Sequence, residues 1–201
     1  MFVRGCLLSV SVLAIWLVAC TTLPAQRPQV RKGFWANLGF GLDNVAWQCD
    51  GCPKRSQGSR SLVLRVGWTL NKKALLGVEL NGSVIGQTPS FDSLDQQVRA
   101  RVATIAASWY PSAAGGLFLK AGVGRSWWYN REQGTSTNAE SAASAILVGA
   151  GYDLRVGRMI SITPMLTLWG SLKADLKDGS TTDATNFRNT VAAFQVGATF
   201  H

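Results

Sequence analysis

From Gly33 to the carboxyl terminus, apolar and polar side chains alternate with period two in eight short runs, and no long stretch repeats every 3.6 residues. In the first run Phe34, Ala36, Leu38, Phe40 and Leu42 share one face, with Asn37, Gly39, Gly41 and Asp43 on the other. The second sets Leu62, Leu64, Val66, Trp68 and Leu70 against Arg65, Gly67 and Thr69, and the third sets Leu76, Val78 and Leu80 against Gly77, Glu79, Asn81 and Ser83. The fourth, Val102 to Tyr110, is ambiguous in register, and a β-bulge is expected there. Leu117, Leu119, Ala121 and Val123 oppose Lys120, Gly122 and Gly124 in the fifth. Ile146, Val148, Ala150, Tyr152 and Leu154 oppose Gly149, Gly151, Asp153 and Arg155 in the sixth. The seventh separates Ile160, Ile162, Leu166 and Leu168 from Ser161, Thr163, Thr167 and Ser171. The eighth separates Phe194, Val196, Ala198 and Phe200 from Gln195, Gly197 and Thr199.

The connections fall into two classes in strict succession. Short ones lie at 71–73, 111–116 and 156–158, and long polar ones near 44–60, 86–98, 130–141 and 174–189. Short turns at one end and long loops at the other predict an all-β, eight-stranded, antiparallel up-and-down transmembrane barrel, with periplasmic turns and extracellular loops. Two aromatic girdles are expected: Trp68, Trp109, Tyr110, Tyr152 and Phe200 at the periplasmic interface, and Trp47, Trp127, Trp128, Tyr129 and Trp169 at the outer one.

Polarity separates a membrane barrel from a soluble ligand carrier, because the two put opposite faces inside. The glycine-bearing face also carries Arg65, Glu79, Lys120 and Asp153, and it suits a narrow lumen filled by side chains. Two cations and two anions there are expected to form an interior ion network that plugs the barrel, since pairing offsets the desolvation of buried charge. The competing reading leaves some of them in water near the rims.

Composition sharpens this picture. Hydrophobic residues make up 47% and charged ones 15%, lean in charge for a soluble domain, and the 201 residues suit one domain. Residues 1–25 read as a signal peptide: Arg4 precedes an apolar run from Cys6 to Ala19, shorter than a membrane-spanning helix requires. Leu17-Val18-Ala19-Cys20 has the pattern of a lipobox, making Cys20 a lipidation candidate with the signal ending at Ala19; the alternative cut follows Ala25. Residues 26–32 read as a polar periplasmic lead-in, and 33–201 as the barrel domain.

The formal charge is +9. Without basic clusters interleaved with stacking aromatics, and with an export signal, this excludes nucleic acid and points to lipid phosphates. Arg99, Arg101, Arg125 and Arg131 are the lipid-phosphate contact candidates. Cys49-Asp50-Gly51-Cys52 is expected to form a local disulfide in an oxidising compartment, since no helix activates a thiol and no further ligands complete a zinc site. Catalysis is not expected. The single histidine, His201, falls at the periplasmic end, and the loop carboxylates Asp92, Asp95, Asp175, Asp178 and Asp183 read as solvated. No cofactor or metal is expected.

Several stretches together resemble the small bacterial outer-membrane proteins of the OmpA-type barrel superfamily, many of uncharacterised function. They are Gln26-Arg27-Pro28-Gln29 leading into Gly33-Phe34-Trp35, Cys49-Asp50-Gly51-Cys52, Leu75 to Gly82, Tyr110-Pro111-Ser112, Gly116 to Gly124, Val148 to Gly157, and Gly197-Ala198-Thr199-Phe200-His201. The resemblance covers nearly all of the chain after the signal. It implies a membrane barrel, supplies no catalytic residues, and favours a cut before Gln26. It also implies recognition by the barrel assembly machinery through a terminal aromatic, here the penultimate Phe200.

The sequence therefore predicts a non-enzymatic outer-membrane protein with a structural or surface-interaction role. Its expected partners are outer-membrane lipids and lipopolysaccharide, while the extracellular partner is unknown. The alternatives are a narrow pore for small solutes and a soluble or lipid-tethered lipocalin-like carrier.

Overall fold

The computed structural model describes residues 31–86, 96–132, 138–178 and 181–201. The signal peptide, Cys20 and most of the lead-in lie outside the described residues, as do Asp92 and Asp95. Ten strands follow one another: β1 (Phe34–Gln48), β2 (Arg55–Asn71), β3 (Ala74–Gly86), β4 (Gln96–Trp109), β5 (Leu117–Glu132), β6 (Asn138–Tyr152), β7 (Leu154–Arg155), β8 (Ile160–Ser171), β9 (Ala174–Asp178) and β10 (Thr181–Phe200).

These ten make a ring of eight. Strands adjacent around the ring pair antiparallel, and β1 closes on β10 through thirteen consecutive pairs from Ala36↔Phe200 to Gln48↔Arg188. β7 continues the path of β6 past a break at Asp153, pairing Leu154↔Ile162 and Arg155↔Ser161. β9 likewise continues β8, lying between β6 and β10. Closure leaves no free edge, as strands in hydrocarbon require, because every backbone group there needs a protein partner.

Polarity follows the alternation in the sequence. Phe40, Leu42, Val123 and Leu166 are 62–73% exposed, whereas Asn37, Glu79, Thr163 and Gln195 are at most 1% exposed. Apolar outside and polar inside is the arrangement of a lipid-embedded barrel and the reverse of a soluble carrier, which sets the lipocalin-like alternative aside. On β1 the outward apolar positions run from Phe34 to Leu42 and on β2 from Leu62 to Leu70, the nine residues that cross a bilayer core.

Three sequence expectations are revised. β4 pairs without a register shift with both neighbours, so the bulge expected there is absent; its inward positions are the even residues Ala100 to Tyr110. The segments 44–60 and 174–189 are hairpins rather than long loops: β1 continues to Gln48, β2 begins at Arg55, and β9 folds onto β10. Beyond the lipid the outward face meets water, so its apolar positions give way to polar ones while the hydrogen-bond ladder continues. The outer girdle is revised as well. Trp128 and Trp169 are 4% and 1% exposed and point into the lumen, with Trp47 packed beside them. Tyr110, expected in the periplasmic girdle, is also inward at 2%, whereas Trp68, Trp109 and Phe200 face outward.

Candidate functional site: a lumen sealed twice

Strand parity brings Arg65 (β2), Glu79 (β3) and Lys120 (β5) together in the half of the lumen nearer the short turns. Glu79 is the common anion: its Oε2 lies 3.1 Å from Arg65 Nε and its Oε1 2.5 Å from Lys120 Nζ. Asn81 also donates to Glu79 Oε1, at 2.9 Å. Gln195 donates to Asn81, and Thr167 donates to Gln195, each at 3.2 Å. Arg65 donates to Ser108 at 2.7 Å, and its guanidinium lies 5.1 and 5.2 Å from the Trp35 and Phe118 rings. This chain of bonds crosses the lumen from β2 and β4 to β8 and β10.

Room for the long side chains comes from glycine. A Cβ at Gly149 would stand 2.7 Å from Lys120 Cε, and one at Gly151 would stand 2.5 Å from Phe118 Cζ.

Asp153 belongs to a second cluster, at the mouth beside the turns. The break between β6 and β7 turns its carboxylate to Tyr110 and Thr163, which each donate to it at 2.8 Å. Arg31 Nη2 and His201 Nε2 each stand 3.9 Å from Asp153 Oδ2. Arg31 also donates to Ala113 and Gly115 carbonyls, at 3.2 and 2.6 Å, and stacks 3.5 Å above the Tyr110 ring. The expected four-member network is thus two clusters, because Asp153 lies at the end of its strand and below the level of Glu79. Arg31, part of the polar periplasmic lead-in expected from the sequence, is buried at 3%. A stacked ring and two free carbonyls at a mouth open to its chain explain why. Burial lowers the His201 pKa below that of an ordinary histidine, opposed by Asp153 and assisted by Arg31, Arg155 and Arg65. Burial followed by Asp153 raises the Tyr110 hydroxyl, keeping it a donor.

The other half of the lumen is mainly apolar, with Ser126, Ser141 and Asn189 buried among its apolar side chains. Val45, Ile85, Val102, Leu147 and Val191 surround Trp128, Trp169 and Phe187. Trp128 packs tilted on Trp47 and on Phe187, with ring centres 5.4 and 5.3 Å apart. Between the halves, Asp43 accepts from Ser59 and Ser83. Above the aromatic seal, Cys49 and Cys52 form a disulfide, and Asp50 N–H donates to the Thr185 carbonyl at 3.1 Å while its carboxylate accepts from Asn186. Asn186 has φ 53°, the left-handed conformation asparagine tolerates in irregular strands. The CxxC hairpin is thereby tied to the β9–β10 hairpin.

Outside, Arg99 and Arg101 on β4 and Arg125 on β5 point outward at the loop end of the apolar band. The Arg131 side chain lies outside the described residues, as do those of Asp178 and Asp183; Asp175 is exposed. Sequence reasoning missed Arg31 and the inward placement of Tyr110. Parity carried the latter, since Tyr110 continues the inward series of Thr104 and Ser108.

No protein-family model matches the chain, and no curated protein sequence does. Solved structures do. Neisserial surface protein A is 11% identical at a TM-score of 0.56, covering 86% of this chain and 99% of its own. The attachment invasion locus protein Ail of Yersinia pestis, solved with the heparin analogue sucrose octasulfate, is 14% identical at 0.54, covering 84% and 99%. The outer-membrane protein AlkL in lipid bilayers is 14% identical at 0.50, covering 89% and 94%. At such identities the likeness concerns architecture alone. The chain has the fold of the small eight-stranded barrels of the bacterial outer membrane.

Proposed function

We propose that this is a non-enzymatic barrel resident in the outer membrane, serving the envelope through its outer surface and loops rather than by conduction or catalysis. The observation that carries the reading is the double seal: an ionic chain across the turn-end half of the lumen and an aromatic plug across the other. Eight strands enclose little space to begin with, and both levels of this lumen are filled by side chains. A rigid, closed cylinder presents its strand extensions and loops at a fixed height above the bilayer. β1 continues six residues past Leu42, about 20 Å at strand rise. Its partners in this reading are outer-membrane lipids, lipopolysaccharide and, during insertion, the barrel assembly machinery docking at Phe200.

The narrow-pore alternative predicts a steady conductance. The deciding experiment pairs electrophoresis of the outer-membrane fraction in SDS, with and without boiling, with planar-bilayer recording of the purified protein. A heat-dependent mobility shift without channel currents is expected. A persistent ion current would make the pore the better reading, and a soluble protein showing no shift would overturn the membrane reading.

A further inference from the structure

The outer ends of the apolar band differ around the barrel. On β2 to β5 the register aligns outward residues in rows. One row runs Arg60, Val84, Arg99, Tyr129; the next runs Leu62, Gly82, Arg101, Trp127; the third runs Leu64, Leu80, Ala103, Arg125. Four arginines and two interfacial aromatics therefore share one face. Arg60 and Arg99 are two strands apart, roughly 10 Å between backbones, within converging reach of two guanidinium groups. The Arg101 guanidinium lies 6.0 Å from the Tyr129 ring centre.

Directly beside these cations is a groove of about 430 Å³ lined by Leu62, Leu64, Leu80, Gly82, Ala103 and Trp127. Its floor is open because residue 82 has no side chain: a Cβ there would meet no atom within 4 Å. The barrel supplies its own contrast. A second outward groove, of about 700 Å³ on β1, β6, β8 and β10, is apolar too, yet its loop-end neighbours are Asn44, Ser144, Gly170 and Thr190. Both grooves face lipid; the first has arginines in the rows directly at its loop end, whereas the outward charges beyond the second, Glu140 on β6 and Arg188 on β10, stand farther up and are of opposite sign.

We propose that the β2–β5 face is a seat for a phosphorylated, acylated glycolipid of the outer leaflet, the lipid portion of lipopolysaccharide. Its phosphates are held by Arg60, Arg99, Arg101 and Arg125, and one acyl chain lies over Gly82. Guanidinium forks match phosphate oxygens in pairs, and the adjoining apolar slot demands that the anion carry a hydrocarbon tail. A soluble polyanion would leave the slot empty; a hydrocarbon tail alone would bring no anion to the arginines. The proposal rests on the outer-membrane reading above and assigns that surface its ligand.

The test uses the full-length protein in nonionic detergent, immobilised and titrated with lipopolysaccharide, enzymatically dephosphorylated lipopolysaccharide, phosphatidylglycerol micelles and sucrose octasulfate. The variants are the triple substitution R60Q/R99Q/R101Q and Gly82→Leu, which fills open space and so spares the fold. Each sample is also run cold and boiled in SDS. The expected result is at least tenfold weaker lipopolysaccharide binding by the triple variant, and a similar loss on removing the phosphates. Gly82→Leu should weaken lipopolysaccharide several-fold while leaving sucrose octasulfate unchanged. Lipopolysaccharide affinity within twofold of wild type in the triple variant would overturn the site. So would equal affinity for phosphatidylglycerol, or sucrose octasulfate binding as tightly as lipopolysaccharide with Gly82→Leu silent. A retained heat shift alongside any of these confines the failure to the site, whereas loss of the shift in the wild-type protein removes the membrane reading itself.

Discussion

The turn-end half of the lumen is closed by polar side chains joined in a chain of bonds from Arg65 to Thr167, whereas the loop-end half is closed by tryptophan and phenylalanine packed on aliphatic side chains. In the first, each group depends on a partner aimed at it, and Glu79 alone neutralises two cations. In the second, no contact is directional and the rings succeed by volume. The difference teaches how one narrow cylinder can be sealed by bonds that fail when a single partner goes and by packing that weakens in proportion to what is removed. A sealed lumen is also what makes the outer surface, rather than the interior, the reading of function.

The largest break in that comparison is Glu79→Ala. It strands Arg65 and Lys120 as buried, uncompensated cations, and removing one partner of a buried pair costs about 3–5 kcal/mol. Urea unfolding from lipid vesicles should show that loss. Replacing the whole set, R65M/E79L/K120M, should cost far less than the single substitution, because apolar groups of similar volume need no partners. If Glu79→Ala were as stable as wild type, the turn-end half would be wet rather than bonded.

Trp169→Ala probes the other half. Truncating a buried tryptophan costs about 3 kcal/mol through lost contacts and the cavity left behind. No charge is stranded, so nearby apolar enlargements such as Ala145→Leu should recover part of the loss, a rescue with no counterpart at Glu79. With the ionic chain still in place, this variant should remain non-conducting in planar bilayers. Measurable current would mean that the aromatic plug is the only seal.

Strand number, closure and polarity were legible in the sequence because lipid on one face and a narrow lumen on the other write themselves as period two. Parity also held information that a compositional expectation overrode. Trp128 continues the inward series Lys120, Gly122, Gly124, and Trp169 continues Ser161, Thr163, Thr167, yet the preference of tryptophan for interfaces points both to a girdle. On strands whose inward neighbours include glycine, serine and threonine, a large ring is a filler, and the alternation shows it. Arg31 was not legible. Its placement depends on the Tyr110 ring and the Ala113 and Gly115 carbonyls, about eighty residues away, which no local pattern encodes. Nor was the division of the charges, since facing one lumen does not place Asp153 and Glu79 at the same height.

A smaller effect is expected at the disulfide above the aromatic plug. Cys49 and Cys52 close a loop with a sequence separation of 3, so the restriction of the unfolded chain is slight, at most about 2 kcal/mol by loop-closure entropy. The double variant C49S/C52S should therefore fold and keep its heat shift. Its effect should be local: faster proteolysis at the tips of the β1–β2 and β9–β10 hairpins, which Asp50 ties together. Loss of the barrel itself would show that the staple supports more than the loops.

The smallest effect belongs to the mouth and depends on pH. Around His201 stand Asp153, Arg31, Arg155 and Arg65, and burial together with three arginines outweighs the attraction of the single carboxylate. The histidine's pKa in the fold therefore lies below the unfolded value of about 6.5. Between those two values the unfolded chain binds more protons than the folded one, so stability rises with pH there. The contribution is complete above about pH 6.5 and is lost as pH falls through the folded pKa. Urea midpoints in vesicles should therefore be lower at pH 5.5 than at pH 7.5, and His201→Phe, which keeps a ring in the mouth without a titrating group, should flatten that difference. The shift is expected to be small because the Tyr110 and Thr163 hydrogen bonds hold Asp153 without it. An unchanged pH response in His201→Phe would move the sensing to another group and leave the histidine as simple filler, making the turn-end mouth more like the aromatic half than its charges imply.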